Sequence, residues 1–273
     1  MTVGAAWLVA ETVGAGWFPW VLAITPPLSQ PSDAALIRAG LRVELIDAGV
    51  MTADDVVHPA VVRWIRTVCT AEQWLELRYV RGADSDLLRG IVARWAGRTV
   101  VALRSGQLVT FTELDITDPH LLAEVVIAGL PGRTPARFAE FVLPTRVGAR
   151  ADERLRNGAG LDGVLDHLGI PGSAAAVVRS AISGSRSYVE ARAGANRSGV
   201  QELSEVGVGI VDSEAGRVLV SPQRATDGEW LSTFTPGTPF AIALALTRLT
   251  ATLTDGGWFP ATELVRDFAG NRT

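Results

Sequence analysis

Apolar and polar positions change period several times along the chain, and each change marks an element. From Gly4 to Val13 the apolar residues around Trp7 and Leu8 predict a helix that stops at Gly14 and Gly16. An aromatic knot, Trp17-Phe18-Pro19-Trp20, is followed by the short apolar run Val21 to Ile24, which reads as a strand stopped by Pro26-Pro27. Ile37, Leu41, Leu45 and Ala48 form one stripe of a helix that begins at Ser32 or Asp33 and ends at Gly49. Pro59 starts the next helix, with Asp54-Asp55 as its cap. Glu72 to Val80, with Trp74, Leu75, Leu77 and Tyr79, reads as a strand, and strands over 88–94, 98–104 and 107–114 follow. A helix over 119–129 comes next, and then a strand from Phe138 to Leu143. Short helices are expected at Arg150 to Asn157, Leu161 to Leu168 and Ala174 to Ile182, separated by glycine and by Pro171. Arg186 to Ala193 is a strand, and the polar stretch Gly194 to Glu205 reads as a flexible hairpin tip. Val208 to Val211 and Arg217 to Ser221 form a hairpin around Ser213-Glu214-Ala215-Gly216. Pro222 is expected to end the second strand, since proline cannot donate to a ladder. Trp230 to Phe234 is a third strand. Thr238 then caps a helix with Pro239 at its first position and a stripe of Ile242, Ala245, Leu246, Leu249 and Leu253. The tail from Phe259 to Thr273 holds at most a last helical turn.

One module occurs twice. Gly90 to Arg98 matches Gly209 to Arg217 at a constant offset of 119 residues, with six identities in nine positions. In both copies a strand, a glycine turn (Gly106 or Gly228), a third strand and a proline-started helix (Asp118-Pro119 or Thr238-Pro239) follow in the same order. This order predicts an α+β fold with pseudo-repeats at about 72–132 and 186–257, a quasi-two-fold duplication of antiparallel strands plus helix. The short turns favour antiparallel pairing, because parallel pairs need long crossovers. The 273 residues suffice for one large domain or two small ones, and we read residues 1–273 as one globular unit.

Composition narrows the chemistry. Net charge is −4, which argues against nucleic acid as the main partner. There is no lysine, so every basic side chain apart from histidine is arginine, a residue suited to bidentate pairing with carboxylates. The lone Cys69 excludes an intramolecular disulfide. No basic region precedes the apolar stretch Val3 to Ala10, and no run reaches the ~18 apolar residues of a membrane span, so a cytosolic protein without membrane insertion is expected.

Catalytic patterns are weak. Asp54 with His58, and His120 with Glu124, have the i,i+4 spacing of two ligands on one helix face, but no third ligand is evident. Gly158-Ala159-Gly160-Leu161-Asp162-Gly163 matches a dinucleotide fingerprint in letters, yet a charged helix precedes it where a strand is needed. We read it as a helix break and expect no cofactor and no catalytic residue. Binding remains. Of the eight tryptophans most are expected in the core, with Trp95, in a hairpin turn, the best candidate for exposure.

The C-terminal stretch carries a resemblance. Gly207-Val208-Gly209-Ile210-Val211-Asp212-Ser213, Gly216-Arg217, Val220-Ser221-Pro222, Asp227-Gly228, Ser232-Thr233-Phe234-Thr235-Pro236-Gly237-Thr238 and Gly256-Gly257-Trp258 resemble the EspG family, the specificity chaperones of mycobacterial and related type VII secretion systems. The likeness is strong over about 206–258 and looser elsewhere. It implies a cytoplasmic, non-enzymatic protein with a quasi-two-fold α+β fold, a central sheet flanked by helical bundles. It also implies a partner, the PPE subunit of a PE–PPE heterodimer, bound at the hydrophobic tip of its helical bundle. On this chain it points to Arg81 and Leu87 around the 81–88 loop, to Arg89, Arg98 and Arg104 on the strands, to the Arg224 turn, and to Trp230. Two competing readings are a small-molecule-binding α+β protein or enzyme, and a weak homodimer that pairs through a sheet edge.

Overall fold

Hairpins organise the computed structural model, which describes residues 1–27, 33–82, 86–183, 185–262 and 264. Most of the predicted tail, 263 and 265–273, lies outside the described residues. The fold is mixed helix and antiparallel sheet, in two compact units. One comprises Met1–Arg78, Leu87–Asp115 and Ala193–Leu203; the other takes in Tyr79–Asp86, Ile116–Arg192 and the chain from Ser204 onward.

In the first unit β1 (Gln73–Arg81), β2 (Asp86–Trp95), β3 (Arg98–Ser105) and β4 (Leu108–Leu114) lie in the order β4-β3-β2-β1. Trp95 pairs with Arg98 across Ala96 and Gly97, both at positive φ (48° and 77°), the backbone twist that a two-residue hairpin requires. Helices α1 (Val3–Thr12) and α3 (Pro59–Cys69) pack on β3 and β4. Val9, Ile65 and Val68 meet Ile91, Ala93, Val100 and Ala102 there in one fully buried cluster. Helix α2 (Ala34–Asp47) packs on α1 and buries Leu45, while Leu36 and Val43 face out.

The predicted strand at Val21 to Ile24 is instead a 3-10 turn, Trp20–Leu22, ending with Ala23 at φ 48°. The Arg104 guanidinium donates to the carbonyls of Leu22 and Ala23, so a side chain satisfies acceptors that a ladder would otherwise take. The cap of α3 is His58, whose Nδ1 accepts from the Ala60 amide at 3.2 Å. Asp55, one of the expected caps, sits at φ 63° and pairs with Arg42 at 2.7 Å.

The predicted hairpin at Gly194 to Glu205 is present. Strand β6 (Ser187–Arg197) runs through it, turns at Ser198-Gly199, and returns as β7 (Val200–Leu203). The Asn196 backbone N–H donates to the Glu72 carbonyl at 2.8 Å, and its side-chain Oδ1 accepts from the Gly199 N–H at the turn. Gly194 lies flat against Trp74: an added Cβ would stand 2.1 Å from the indole. Gly194→Ala is expected to cost about 1–3 kcal/mol, read by urea melts, because the ring must leave a buried rotamer.

In the second unit the strand order is β6-β8-β9-β10-β5, with β8 (Val208–Ser213), β9 (Gly216–Arg224), β10 (Trp230–Pro236) and β5 (Phe141–Pro144). Pro222 does not end β9. It lies beyond Val220, the last residue paired toward β8, so its missing N–H faces no partner strand while Ser232 pairs it on the other side. Ile210 and Leu219 are buried on one face, where α8 (Pro239–Thr250) packs, and α4 (Pro119–Ile127) packs on α8. All five residues of the predicted α8 stripe are buried. Tyr79 donates its hydroxyl to the Val126 carbonyl at 2.9 Å, which fixes α4. Residues of the opposite parity, Val211, Val218, Val220 and Phe234, face α7 (Gly172–Ser183). Helices α5 (Thr145–Arg156) and α6 (Leu161–His167) complete that layer. Gly158, at φ 89°, separates them as the expected helix break.

Candidate functional site

The tip of the β9–β10 hairpin holds the best-built surface feature of the second unit. Arg224 and Trp230 are direct cross-strand partners, and the guanidinium lies 5.6 Å from the indole centroid. Trp230 donates Nε1–H to the Glu205 carboxylate at 3.4 Å, and Arg224 donates Nε–H to the Gly228 carbonyl at 3.3 Å. Glu229 pairs with Arg146 of α5 at 2.7 Å, and the Thr145 and Ser232 hydroxyls meet at 3.1 Å. A half-buried indole is thus fixed from several sides.

Glu205 links this tip to a groove of about 600 Å³. Val206, Val211 and Val220 give the groove an apolar floor, and Glu190, Arg192 and Glu205 give it charged walls. Arg192 donates to the Ser204 carbonyl at 2.5 Å and so holds the wall in place. An apolar floor inside a charged rim is the layout of a protein-binding patch.

The other predicted contact residues fall elsewhere. Arg81 ends β1, where the amide of the next residue, Gly82, donates to the Ser187 hydroxyl at 3.1 Å. Residues 83–85 of the predicted loop lie outside the described residues. In the first unit Leu87 is 38% exposed on β2. Arg89 faces Arg104 across the β2–β3 pair. Arg104 is held by the Gly106 carbonyl besides those of Leu22 and Ala23. Arg98 pairs with Glu113 at 3.2 Å. Glu113 also accepts from Trp64 Nε1 at 3.0 Å, and these two donors, the indole first, hold its carboxyl below the usual range. Within each unit, then, the structure brings together Arg224 with Trp230 and Arg89 with Arg104. Arg98 and Arg104 have partners inside the chain.

Trp74 and Trp258 are in the core and Trp95 is 43% exposed, as expected, but Trp17 and Trp20 depart from expectation at 74% and 87% exposed. Phe18, Val21 and Leu22 take the buried positions of that loop instead. Burial pushes the Cys69 thiol up to about 12, so it is scarcely ionised at neutral pH and makes a poor nucleophile.

The sequence motif around Asp212 serves the fold. Arg217 donates Nε–H and Nη2–H to the two oxygens of Asp212 at 2.6 and 2.8 Å, with side-chain exposures of 7% and 1%. The Arg217 backbone accepts from Ala136 and Gly237 and donates to the Thr134 carbonyl. Gly237 is needed because a Cβ there would lie 2.4 Å from the Arg217 stem. The Gly-Arg and Thr-Pro-Gly-Thr-Pro segments are therefore parts of one buried staple at the base of the hairpin whose tip carries Trp230.

A model of the EspG family matches residues 2–248. The chain belongs to the EspG family. It is 55% identical over 98% of its length to the ESX-3 secretion-associated protein EspG3 of Mycobacterium tuberculosis, 96% of which is covered. It is 54% identical to that of Mycolicibacterium smegmatis over 98% of this chain and 91% of the relative. Among solved structures it resembles the M. tuberculosis type VII secretion system chaperone EspG5, in complex with a PE25–PPE41 dimer. The TM-score is 0.78 at 19% identity, over 94% of this chain and 97% of the other, so that likeness concerns the fold. The two EspG3 relatives are thus ESX-3 secretion-associated proteins, and the structural neighbour is a type VII secretion system chaperone.

Proposed function

We propose that this EspG protein is a cytoplasmic specificity chaperone that binds a PE–PPE heterodimer through the hydrophobic helical tip of PPE. The observation that carries the reading is the groove of the second unit, apolar on its floor and bordered by Glu205, Trp230 and Arg224. A PPE tip exposed without its chaperone is an aggregation liability, and reversible cover by such a groove keeps it soluble. A fixed indole at the rim supplies an anchor with little ordering cost. The partner class follows the PE25–PPE41 dimer found with EspG5, and the ESX-3 system follows the names of the two EspG3 relatives. Arg81, Leu87, Arg89, Arg98 and Arg104 are retained as peripheral contacts of the same partner. The test is co-expression with PE–PPE pairs encoded by the same genome. A 1:1:1 complex by light scattering is expected with at least one pair, and failure with every pair rejects the reading.

We also infer an internal duplication. Supporting it, α4 and α8 both start at a capped proline, with Asp118 and Thr238 accepting from helix amides, and the two helices pack together. The turns are offset by one residue: the first hairpin closes at Trp95 and Arg98, the second at Ser213 and Gly216 rather than at Glu214 and Arg217. One residue of slip reverses which face a side chain meets, so the copies have diverged at the turn.

A further inference from the structure

Beneath α7 the second unit is under-packed. A cleft of about 180 Å³ lies between α7 and the sheet, walled by Phe138, Val177, Ala181, Val218 and Phe234. A second cleft of about 190 Å³ adjoins it under α5 and α6, and the two share Phe141, Val178, Ile182 and Phe234. Phe141 and Phe234 stack there with centroids 4.6 Å apart and planes 5° from parallel, a rigid wall. Clefts with apolar walls favour apolar guests over water. Together the clefts reach the lower end of small-ligand sites, roughly 300 Å³.

Among the described residues the first cleft has one charged lining group. Arg186 stands at its edge, exposed to solvent, with Nη1 donating to the Ala181 carbonyl at 2.7 Å and the guanidinium 5.6 Å from the Tyr188 ring centroid. A guanidinium carries five N–H donors in a planar fork, so this anchoring leaves donors for a carboxylate at the mouth. We propose that the clefts form a binding site for an aliphatic carboxylate, its chain between α7 and the Phe141–Phe234 wall and its head group on Arg186. The apolar walls select the chain and Arg186 selects the sign of the head, while Asp152, which lines the second cleft, is paired with Arg156 at 3.3 Å. The assignment does not depend on the PE–PPE reading.

Sodium decanoate below its micellar concentration is the probe, titrated into the full chain by calorimetry, with 1-decanol as the neutral comparison. Saturable 1:1 binding is expected. Arg186→Gln weakens decanoate about tenfold, the worth of one charge-assisted contact, and leaves decanol unchanged. Ala181→Phe, which fills the cleft, abolishes binding of both. Chemical shifts of Val177 and Val218 methyl groups move on titration of the wild type. Absence of saturable binding overturns the proposal, and so does decanoate binding that neither substitution changes. Equal loss of decanoate and decanol in Arg186→Gln overturns the head-group assignment even if Ala181→Phe does not fold.

Discussion

Asp212→Ala is expected to lower folding stability by about 3–5 kcal/mol, because it leaves the Arg217 guanidinium buried with no counter-charge. The pair is bidentate and nearly excluded from water, and the Arg217 backbone is tied at the same point to Thr134, Ala136 and Gly237. Losing the carboxylate therefore strains a junction of three segments. Arg217→Lys is also costly, since an ammonium cannot reproduce the planar fork. Replacing both residues by apolar ones of similar size is expected to cost less than either single change. Guanidinium melts followed by circular dichroism read the effect. A loss of under ~1 kcal/mol for Asp212→Ala, the range of an exposed pair, contradicts the staple.

Trp230→Ala is expected to weaken PE–PPE binding by about 2 kcal/mol or more, roughly thirtyfold, with little loss of folding stability. The indole is half-buried and held by Glu205 and Arg224, so its place is set before a partner arrives. Arg224→Ala should cost less, as a rim cation that mainly orients the ring. Trp95→Ala, in a hairpin turn of the other unit, serves as the comparison and should leave affinity unchanged. Calorimetry with a purified PE–PPE pair measures all three. Equal losses for Trp95→Ala and Trp230→Ala contradict the assignment of the anchor.

Much of the fold was legible because its signals are local. Proline at the first helical position with Asp118 or Thr238 before it marked α4 and α8, and the repeated Gly-Ile-Val and Ala-Gly-Arg segments marked the β2–β3 and β8–β9 hairpins. The misreadings share a cause: local chemistry was answered by a distant residue. Val21 to Ile24 has the apolar content of a strand, but Arg104 on β3 takes its carbonyls. Pro222 breaks no ladder because β8 has already ended.

The site was harder to read. Arg224 and Trp230 were singled out, and their pairing follows from hairpin register alone. Glu205 and the groove were missed, since no spacing along the chain joins Glu190 and Arg192 to Val206 and Val220. The most recognisable residues, Asp212, Arg217 and Gly237, turned out to hold the scaffold.

Amide hydrogen exchange, with and without a purified PE–PPE pair, addresses the binding surface most directly. Protection on binding is expected at 204–211 and 220–231, the groove walls and the Trp230 hairpin. Protection confined to the first unit, for instance around the exposed Trp17 and Trp20, with those segments unchanged, would place the partner elsewhere and contradict the account.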